Sequence, residues 1–104
     1  MARFDVYANP DGTERRRIPF YLDVQNDHVL GLQTRIVVPL WKSGLLARRA
    51  EELHPEFTVA GQLVVMDTPA LGAAPAALLR SAVANLAAQQ LAIQDALDML
   101  FGSY

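Results

Sequence analysis

Residues 57–66, with the sequence Phe-Thr-Val-Ala-Gly-Gln-Leu-Val-Val-Met, contain two short apolar segments on either side of Ala60-Gly61. Both segments are rich in β-branched and aromatic residues, which favour strands, and the glycine accepts the positive φ of a tight turn. The stretch therefore predicts a β-hairpin. Because a hairpin joins antiparallel strands, it indicates an antiparallel sheet for the strands around it.

Three further strands are predicted upstream of this hairpin. Residues 3–7 alternate polar and apolar side chains, which is typical of a strand with one buried face. The same period continues in 17–25, where Pro19 predicts an edge or a bulge, and residues 34–40 are a β-branched segment that includes Pro39. The turns between these segments are predicted at Asn9-Pro10-Asp11-Gly12, at Asn26-Asp27 and at Gly31.

The pattern changes after Pro69. From Ala77 to Phe101 there is no Gly or Pro and Ala is abundant, so the composition predicts one helix of about 37 Å. Apolar side chains recur in it every seven residues, at Leu79, Leu86, Ile93 and Leu100. Residues 1–104 are thus predicted to form one mainly β domain of the α+β class, an antiparallel sheet with one long C-terminal helix.

Charge is distributed unevenly along the chain. Residues 1–56 hold 8 basic and 8 acidic side chains, whereas the later charged residues are only Arg80, Asp67, Asp95 and Asp98. A helix with so few charges is typical of a surface that a partner covers. We therefore expect a homodimer formed through the C-terminal half, the alternative being an Ala-rich helix that tolerates solvent.

Composition excludes several classes of protein. With 104 residues, 52% of them hydrophobic, the chain is expected to fold as a single domain, and its net charge of -2 gives no general attraction to nucleic acid. The absence of Cys excludes disulfides, thiolate nucleophiles and cysteine-ligated zinc. The N-terminus lacks the apolar segment of a signal peptide, and no apolar stretch reaches the roughly 20 residues of a membrane span. We expect a soluble, cytoplasmic protein.

Few residues are candidates for chemistry. His28 and His54 lie in separate turn regions, and we interpret both as surface residues rather than metal ligands. Asp95 and Asp98 are three residues apart and would share a helix face, which favours a contact surface over acid–base catalysis. The one basic cluster, Arg15–Arg17, follows two acidic residues, so a solvated edge is favoured over a phosphate site. No catalytic group, cofactor or metal is predicted.

Several segments together resemble the CcdB toxins of plasmid-addiction modules. Phe4–Tyr7 is similar to that family's first strand, and Leu22–Asp27 to its Val-Asp-Val-Gln-Ser-Asp segment. Arg35–Leu40 resembles the family's Arg-x-Val-Ile-Pro-Leu strand. In the second half, Val83–Leu86 resembles its Val-Ala-Asp-Leu and Ala96–Phe101 its Ala-Ile-Asn-Leu-Met-Phe. The resemblance covers essentially the whole chain.

This resemblance implies an SH3-like antiparallel sheet or partial barrel, a homodimer, and a protein that is not an enzyme. It implies that the dimer binds the A subunit of DNA gyrase and traps the gyrase–DNA cleavage complex. A cognate antitoxin is expected to wrap the toxin and release gyrase. Operator DNA is expected to be bound only by the toxin–antitoxin complex, and no cofactor or membrane is implied.

The resemblance also indicates contact residues. Those expected to bind gyrase are Asp98, Phe101, Gly102, Ser103 and Tyr104. Those expected to bind the antitoxin are Asn26, His28 and Asp95. In the family the helix ends in Trp-Gly-Ile, and an ungapped alignment from Asn85 places Gly102 at the position of that Trp.

Two alternatives to the gyrase-directed toxin stay open. The first is a non-toxic or retargeted homologue that keeps dimerisation and antitoxin binding, which the absence of the family's Trp favours. The second is an endoribonuclease toxin of the same fold. In that case Asp27, His28 and Arg35 would form an acid–base group, and Arg15–Arg17 would bind RNA phosphates. The strand motifs favour the gyrase branch.

Overall fold

A computed structural model of the chain describes residues 1–29, 31–47 and 49–102. These residues form seven strands and one α-helix, together with short 3-10 turns at Thr68–Ala70, Ala76–Leu78 and Ala87–Gln89. The strands are β1 (Asp5–Ala8), β2 (Phe20–Asp23), β3 (Thr34–Lys42), β4 (Glu56–Val59), β5 (Gln62–Met66), β6 (Gly72–Pro75) and β7 (Ala84–Asn85). The helix is α1 (Gln90–Phe101).

The strands form one sheet in the order β4-β5-β3-β2-β1-β7, and every described pair is antiparallel. The long strand β3 pairs with β2 along one edge. Along its other edge it pairs with β6 through Thr34–Val37 and with β5 through Leu40–Lys42. Because one strand serves two partners in succession, the sheet curls into a nearly closed barrel, which confirms the predicted SH3-like α+β class.

The hairpin β4–β5 lies where the sequence predicts it. Val59 and Gln62 are direct partners across the turn. Ala60 and Gly61 both have positive φ, 49° and 78°, as a two-residue type I′ turn requires. The turn therefore fixes the register of both strands.

The main core lies on one face of the sheet. Val6, Leu22 and Val38 are neighbours on adjacent strands and are fully buried there, and α1 covers them with Ile93 and Ala96. A smaller cluster on the opposite face consists of Tyr7, Val37 and Leu79. Because both faces of the central strands are covered, buried and exposed residues alternate only in part along these strands.

The predicted helix over residues 77–101 is wrong in its first half. The helix α1 begins only at Gln90 and has 12 residues. Residues 83–86 instead pair with residues 4–6, where the Val83 N–H donates to the Val6 carbonyl at 2.8 Å. Pairing with the edge of the sheet overrides the helix propensity of this segment. In the part of the chain that the structure describes, no helix is long and apolar enough to cross a membrane.

Candidate functional site

The helix α1 has one face against the core and one face toward solvent. Ile93 and Ala96 are fully buried and Leu97 is half-buried, so the helix is anchored along its length. On the other side Leu91 is 79% exposed and Phe101 is 68% exposed. Large apolar side chains that stay this exposed on one short element are typical of a surface that contacts a partner.

The end of α1 has a defined geometry. Gly102 adopts a left-handed conformation, with φ 75° and ψ 36°, and its N–H donates to the Asp98 carbonyl at 2.9 Å. This is a common glycine C-cap, which terminates a helix and satisfies one of its last carbonyls. Asp98, Phe101 and Gly102 therefore lie together on the last turn, while the predicted contacts Ser103 and Tyr104 lie outside the described residues.

A cavity of about 340 Å³ lies between α1 and the turn that precedes β4. Its lining residues are Glu51, Glu52, Pro55, Ala92, Asp95 and Met99. Three of these are carboxylates, none of the described lining residues is basic, and the rest are apolar. The cavity therefore suits a partner side chain that combines an aliphatic stem with a cationic end. Asp95, a predicted antitoxin contact, is one of its walls.

The turn at residues 26–28 holds the other two predicted antitoxin contacts. The His28 N–H donates to Asn26 Oδ1 at 2.9 Å, and Asp27 Oδ1 accepts from the Arg3 N–H at 2.7 Å. The Asn26 and His28 side chains are exposed, as predicted for His28. Among the described residues no hydrogen bond or ion pair joins this turn to α1, so no direct polar contact links Asn26 and His28 to Asp95.

A buried ion pair lies at the base of this turn. Asp23 is completely buried and Arg35 is 7% exposed. Arg35 Nε donates to Asp23 Oδ2 at 2.7 Å, and Asp23 Oδ1 accepts from the Gln25 N–H at 3.0 Å. Arg35 Nη2 also lies 3.8 Å from Asp27 Oδ1. The hydrogen bond to Asp23 raises the pKa of Arg35, so the guanidinium stays charged, and the bond ties β3 to the residues that begin the turn.

This geometry argues against the ribonuclease alternative. The Arg35 side chain is buried and its Nε is engaged by Asp23, so it is not presented to an RNA phosphate. His28 lies at the exposed turn, but within the described part of the chain its ring has no hydrogen bond to an acidic group. In an assembled acid–base group the titratable side chains converge on one reacting proton. Asp27, His28 and Arg35 are therefore near one another in the fold but are not assembled as an acid–base group.

A second polar group joins β1 to β7. The Tyr7 hydroxyl donates to Asp5 Oδ2 at 3.3 Å, and Asn85 Nδ2 donates to Asp5 Oδ1 at 2.9 Å. Burial, with the nearby charge of Asp5, raises the pKa of Tyr7 to about 12. Burial also opposes ionisation of Asp5, but the hydrogen bonds from Asn85 and from the Ala2 N–H lower the pKa of Asp5 overall. These groups fasten the last strand to the sheet.

His54 is buried, with 7% of its surface exposed, so its predicted surface position is wrong. Its Nε2 lies 3.2 Å from Asp67 Oδ1, and Trp41 Nε1 donates to Asp67 Oδ2 at 3.1 Å. The Ala50 N–H donates to His54 Nδ1 at 2.9 Å, and the Ala50 carbonyl lies 3.1 Å from the same nitrogen, so the ring is held between Ala50 and Asp67. This network joins three separate loops and strand ends, and no pattern in the sequence indicated it.

The described residues contain no group of three or more His, Asp or Glu side chains able to hold a metal ion. A family model with the description CcdB protein matches residues 3–102. No curated protein matches the sequence. The matched range contains every strand, the helix α1 and all of the predicted contact residues except Ser103 and Tyr104.

Proposed function

The chain belongs to the CcdB family, and on that basis we propose that it is the toxin of a type II toxin–antitoxin module. Its target in this proposal is the A subunit of DNA gyrase, and its effect is to trap the gyrase–DNA cleavage complex. It acts in the cytoplasm by binding rather than by catalysis, and a cognate antitoxin neutralises it.

The observation that supports this proposal is the exposed apolar end of α1. Met99 and Phe101 are exposed at this end, while Ile93 and Ala96 fix the helix to the core. Covering a side chain of this size in an interface contributes about 1.5–3 kcal/mol. An aromatic residue at the centre of an interface commonly carries at least about 2 kcal/mol. Phe101 is therefore the proposed anchor of the gyrase contact.

Trapping a cleavage complex places a requirement on this contact. A ligand shifts an equilibrium only by its differential affinity for the two states, and a tenfold shift needs about 1.4 kcal/mol. The end of α1 must therefore fit gyrase better when the DNA is cut than when it is intact. Anchoring by Ile93 and capping by Gly102 hold the helix end in one shape, which favours this kind of discrimination.

The acidic cavity limits what the partners present to it. Its carboxylates, Glu51, Glu52 and Asp95, repel an acidic segment, so the partner residue that enters is expected to be Lys or Arg. We propose that the antitoxin contacts Asp95 here and the exposed Asn26 and His28 at the other turn. We further propose that the chain acts as a homodimer and that operator DNA, as a specific sequence, is bound only by the toxin–antitoxin complex.

A cleavage assay tests the gyrase proposal. The chain is incubated with gyrase, ATP and supercoiled plasmid, the reaction is stopped with detergent, and linear DNA is measured. Wild-type protein should produce linear DNA, and Phe101→Ala should need at least tenfold more protein for the same yield. Leu45→Ala is the matched control, because Leu45 is an exposed apolar residue outside α1. No linear DNA at micromolar wild-type protein refutes gyrase poisoning.

The second candidate, a non-toxic or retargeted homologue, is favoured by one observation. The position that aligns with the family's Trp is Gly102, whose positive φ is strained for any residue with a side chain. The nearest described ring is Phe101, one residue earlier and in a different direction around the helix axis. Dimerisation and antitoxin binding without linear DNA in the assay is the result expected for this candidate.

A further inference from the structure

We propose that the cavity between the β1–β2 loop and residues 78–81 binds a phosphate group of a nucleic acid. The cavity has a volume of about 270 Å³ and is lined by Ala8, Pro10, Arg15, Leu78, Arg80 and Ser81. Two guanidinium groups and a hydroxyl thus surround an apolar floor. The proposal does not depend on gyrase binding, and its test uses no gyrase.

Arg15 is held in place by a buried residue. Its Nε donates to the Asn9 carbonyl at 2.5 Å. Asn9 is itself buried, and its Nδ2 donates to the Ile18 carbonyl at 2.9 Å across the loop. Because only Nε is used, the two terminal nitrogens of the guanidinium are left to bind an anion in the forked geometry that suits phosphate.

Arg80 and Ser81 come from the segment that pairs with β1. Leu79 is buried beside them and the Val83 N–H is bonded to β1, so their backbone is fixed on both sides. Among the described residues, neither Arg80 nor Arg15 forms an ion pair. Two arginines that share a cavity without a carboxylate partner repel each other, and an anion between them removes that repulsion.

One acidic residue lies close to this cavity. Asp11 accepts hydrogen bonds from the Thr13 hydroxyl at 2.7 Å and from the Thr13 N–H at 3.0 Å. These bonds, together with the positive charge of Arg15, lower the pKa of Asp11. Since its carboxylate is engaged by Thr13 and exposed to water, it offsets the charge of Arg15 only in part.

The charge around the cavity differs from the charge of the rest of the chain. The β1–β2 loop and residues 78–81, which form the cavity, carry the basic residues Arg15–Arg17 and Arg80 and the acidic residues Asp11 and Glu14. These four basic and two acidic residues give +2, and the other five basic and nine acidic residues give -4, which together make the net -2. Such a separation attracts a polyanion to one surface.

The shape of the cavity favours a nucleic acid over an acidic peptide. A volume of about 270 Å³ exceeds what one carboxylate needs. The apolar floor of Ala8, Pro10 and Leu78 can accept the sugar that adjoins a bound phosphate. Proteins commonly bind the nucleic-acid backbone with arginine and serine donors on the phosphate and apolar contacts to the sugar. In this proposal Arg15, Arg80 and Ser81 donate to the phosphate and none of them is assigned to a base edge, so the binding is expected to be independent of sequence.

The test measures the binding of a fluorescein-labelled DNA duplex of 20 base pairs by anisotropy at low salt. Arg80→Gln should weaken binding at least fivefold, and the double variant with Arg15→Gln at least twentyfold. The slope of log K against log salt should fall by about one for each arginine removed. Arg16→Gln is the control, because it removes the same charge from the same loop without lining the cavity, and it should weaken binding less than threefold.

Three results overturn the proposal. The first is an Arg16→Gln variant that binds as weakly as Arg80→Gln, since that indicates diffuse attraction by the basic surface. The second is displacement of the DNA by a polyglutamate peptide at equal charge concentration, which assigns the cavity to an acidic protein segment. The third is a wild-type chain that does not bind the duplex while inorganic phosphate or a nucleoside monophosphate shifts the Ser81 amide resonance, which assigns the cavity to free phosphate. Arg80→Gln alone keeps the test valid if Arg15→Gln disturbs the loop.

Discussion

Replacing Arg35 with Met should destabilise the fold strongly. Asp23 is completely buried, and Arg35 is the only described cation bonded to it. Methionine has a similar length and flexibility and fills the same space, so the main effect is the loss of charge compensation. Removing one partner of a buried ion pair leaves an uncompensated charge and costs about 3–5 kcal/mol. That is a large part of the roughly 5–15 kcal/mol that stabilises a typical domain.

Two matched variants separate this cause from others. Asp27→Asn removes the second carboxylate near the same guanidinium, but Asp27 is 56% exposed and 3.8 Å away, so the loss should stay below about 1 kcal/mol. The double variant Arg35→Met with Asp23→Asn removes the orphaned charge and keeps an oxygen for the Gln25 N–H. It should be more stable than Arg35→Met alone by at least about 1 kcal/mol.

Urea unfolding at one fixed protein concentration measures these differences. The protein has one tryptophan, Trp41, which is half-buried and bonded to Asp67, so its fluorescence should report loss of tertiary structure. A fixed concentration is needed because any dimer makes stability concentration-dependent. An Arg35→Met variant that loses less than about 1 kcal/mol, or a double variant no more stable than it, contradicts the assigned role of the pair.

Two further predictions concern pH and the helix cap. Because the pKa of Tyr7 is raised to about 12 while unfolded tyrosines titrate near 10, the folded state keeps this proton longer. The free energy of unfolding should fall as pH rises from about 10 to 12, and less so in Tyr7→Phe; folded protein whose tyrosines all ionise near 10, by absorbance at 295 nm, contradicts this. Gly102→Ala should cost about 1–2 kcal/mol in urea unfolding, because its φ is +75°. Gly12→Ala, with space for a Cβ and no positive φ, should be neutral or slightly stabilising, and equal losses contradict the cap assignment.

The sheet could be predicted from the sequence because its signals are local. Alternation, β-branched residues and turn residues lie within a few positions of one another in β1 to β5. The strands β6 and β7 lack those signals, since Gly72–Pro75 and Ala84–Asn85 have no β-branched residue. They form strands because long-range neighbours, β3 and β1, offer free edges to them.

The helix shows how a correct burial pattern can accompany a wrong conformation. Leu79, Leu86 and Ile93 are all buried, as their sevenfold spacing indicates, yet only Ile93 lies in α1. Helix propensity in a segment amounts to a few tenths of a kcal/mol per residue. The Val83 and Leu86 N–H groups instead donate to the Val6 and Phe4 carbonyls, and Leu79 is buried beside Tyr7, so the conformation depends on residues more than 70 positions away.

The polar interior could not be predicted for a related reason. In β2 and β3, Asp23 and Arg35 point to the face opposite the main core. The alternation of polar and apolar residues therefore predicts that both side chains are exposed to solvent. They are buried because the second face is also covered, by the cluster around Leu79. His54 is buried in a similar way. Its ring contacts Asp67, 13 residues later, and Trp41, 26 residues before Asp67, bonds to the same carboxylate.

The proposed contact residues differ in how closely they are tied to folding, and this decides what a variant can show. The Phe101 side chain lies outside both buried clusters, so its truncation changes a binding surface and leaves the core intact. The His28 ring is exposed, and only its backbone N–H holds the turn. Asn26 is different, because its Oδ1 accepts that N–H and the turn beside it is joined to the buried Asp23–Arg35 pair. A binding defect in a His28 variant therefore assigns a contact, whereas one in an Asn26 variant reports contact and turn geometry together.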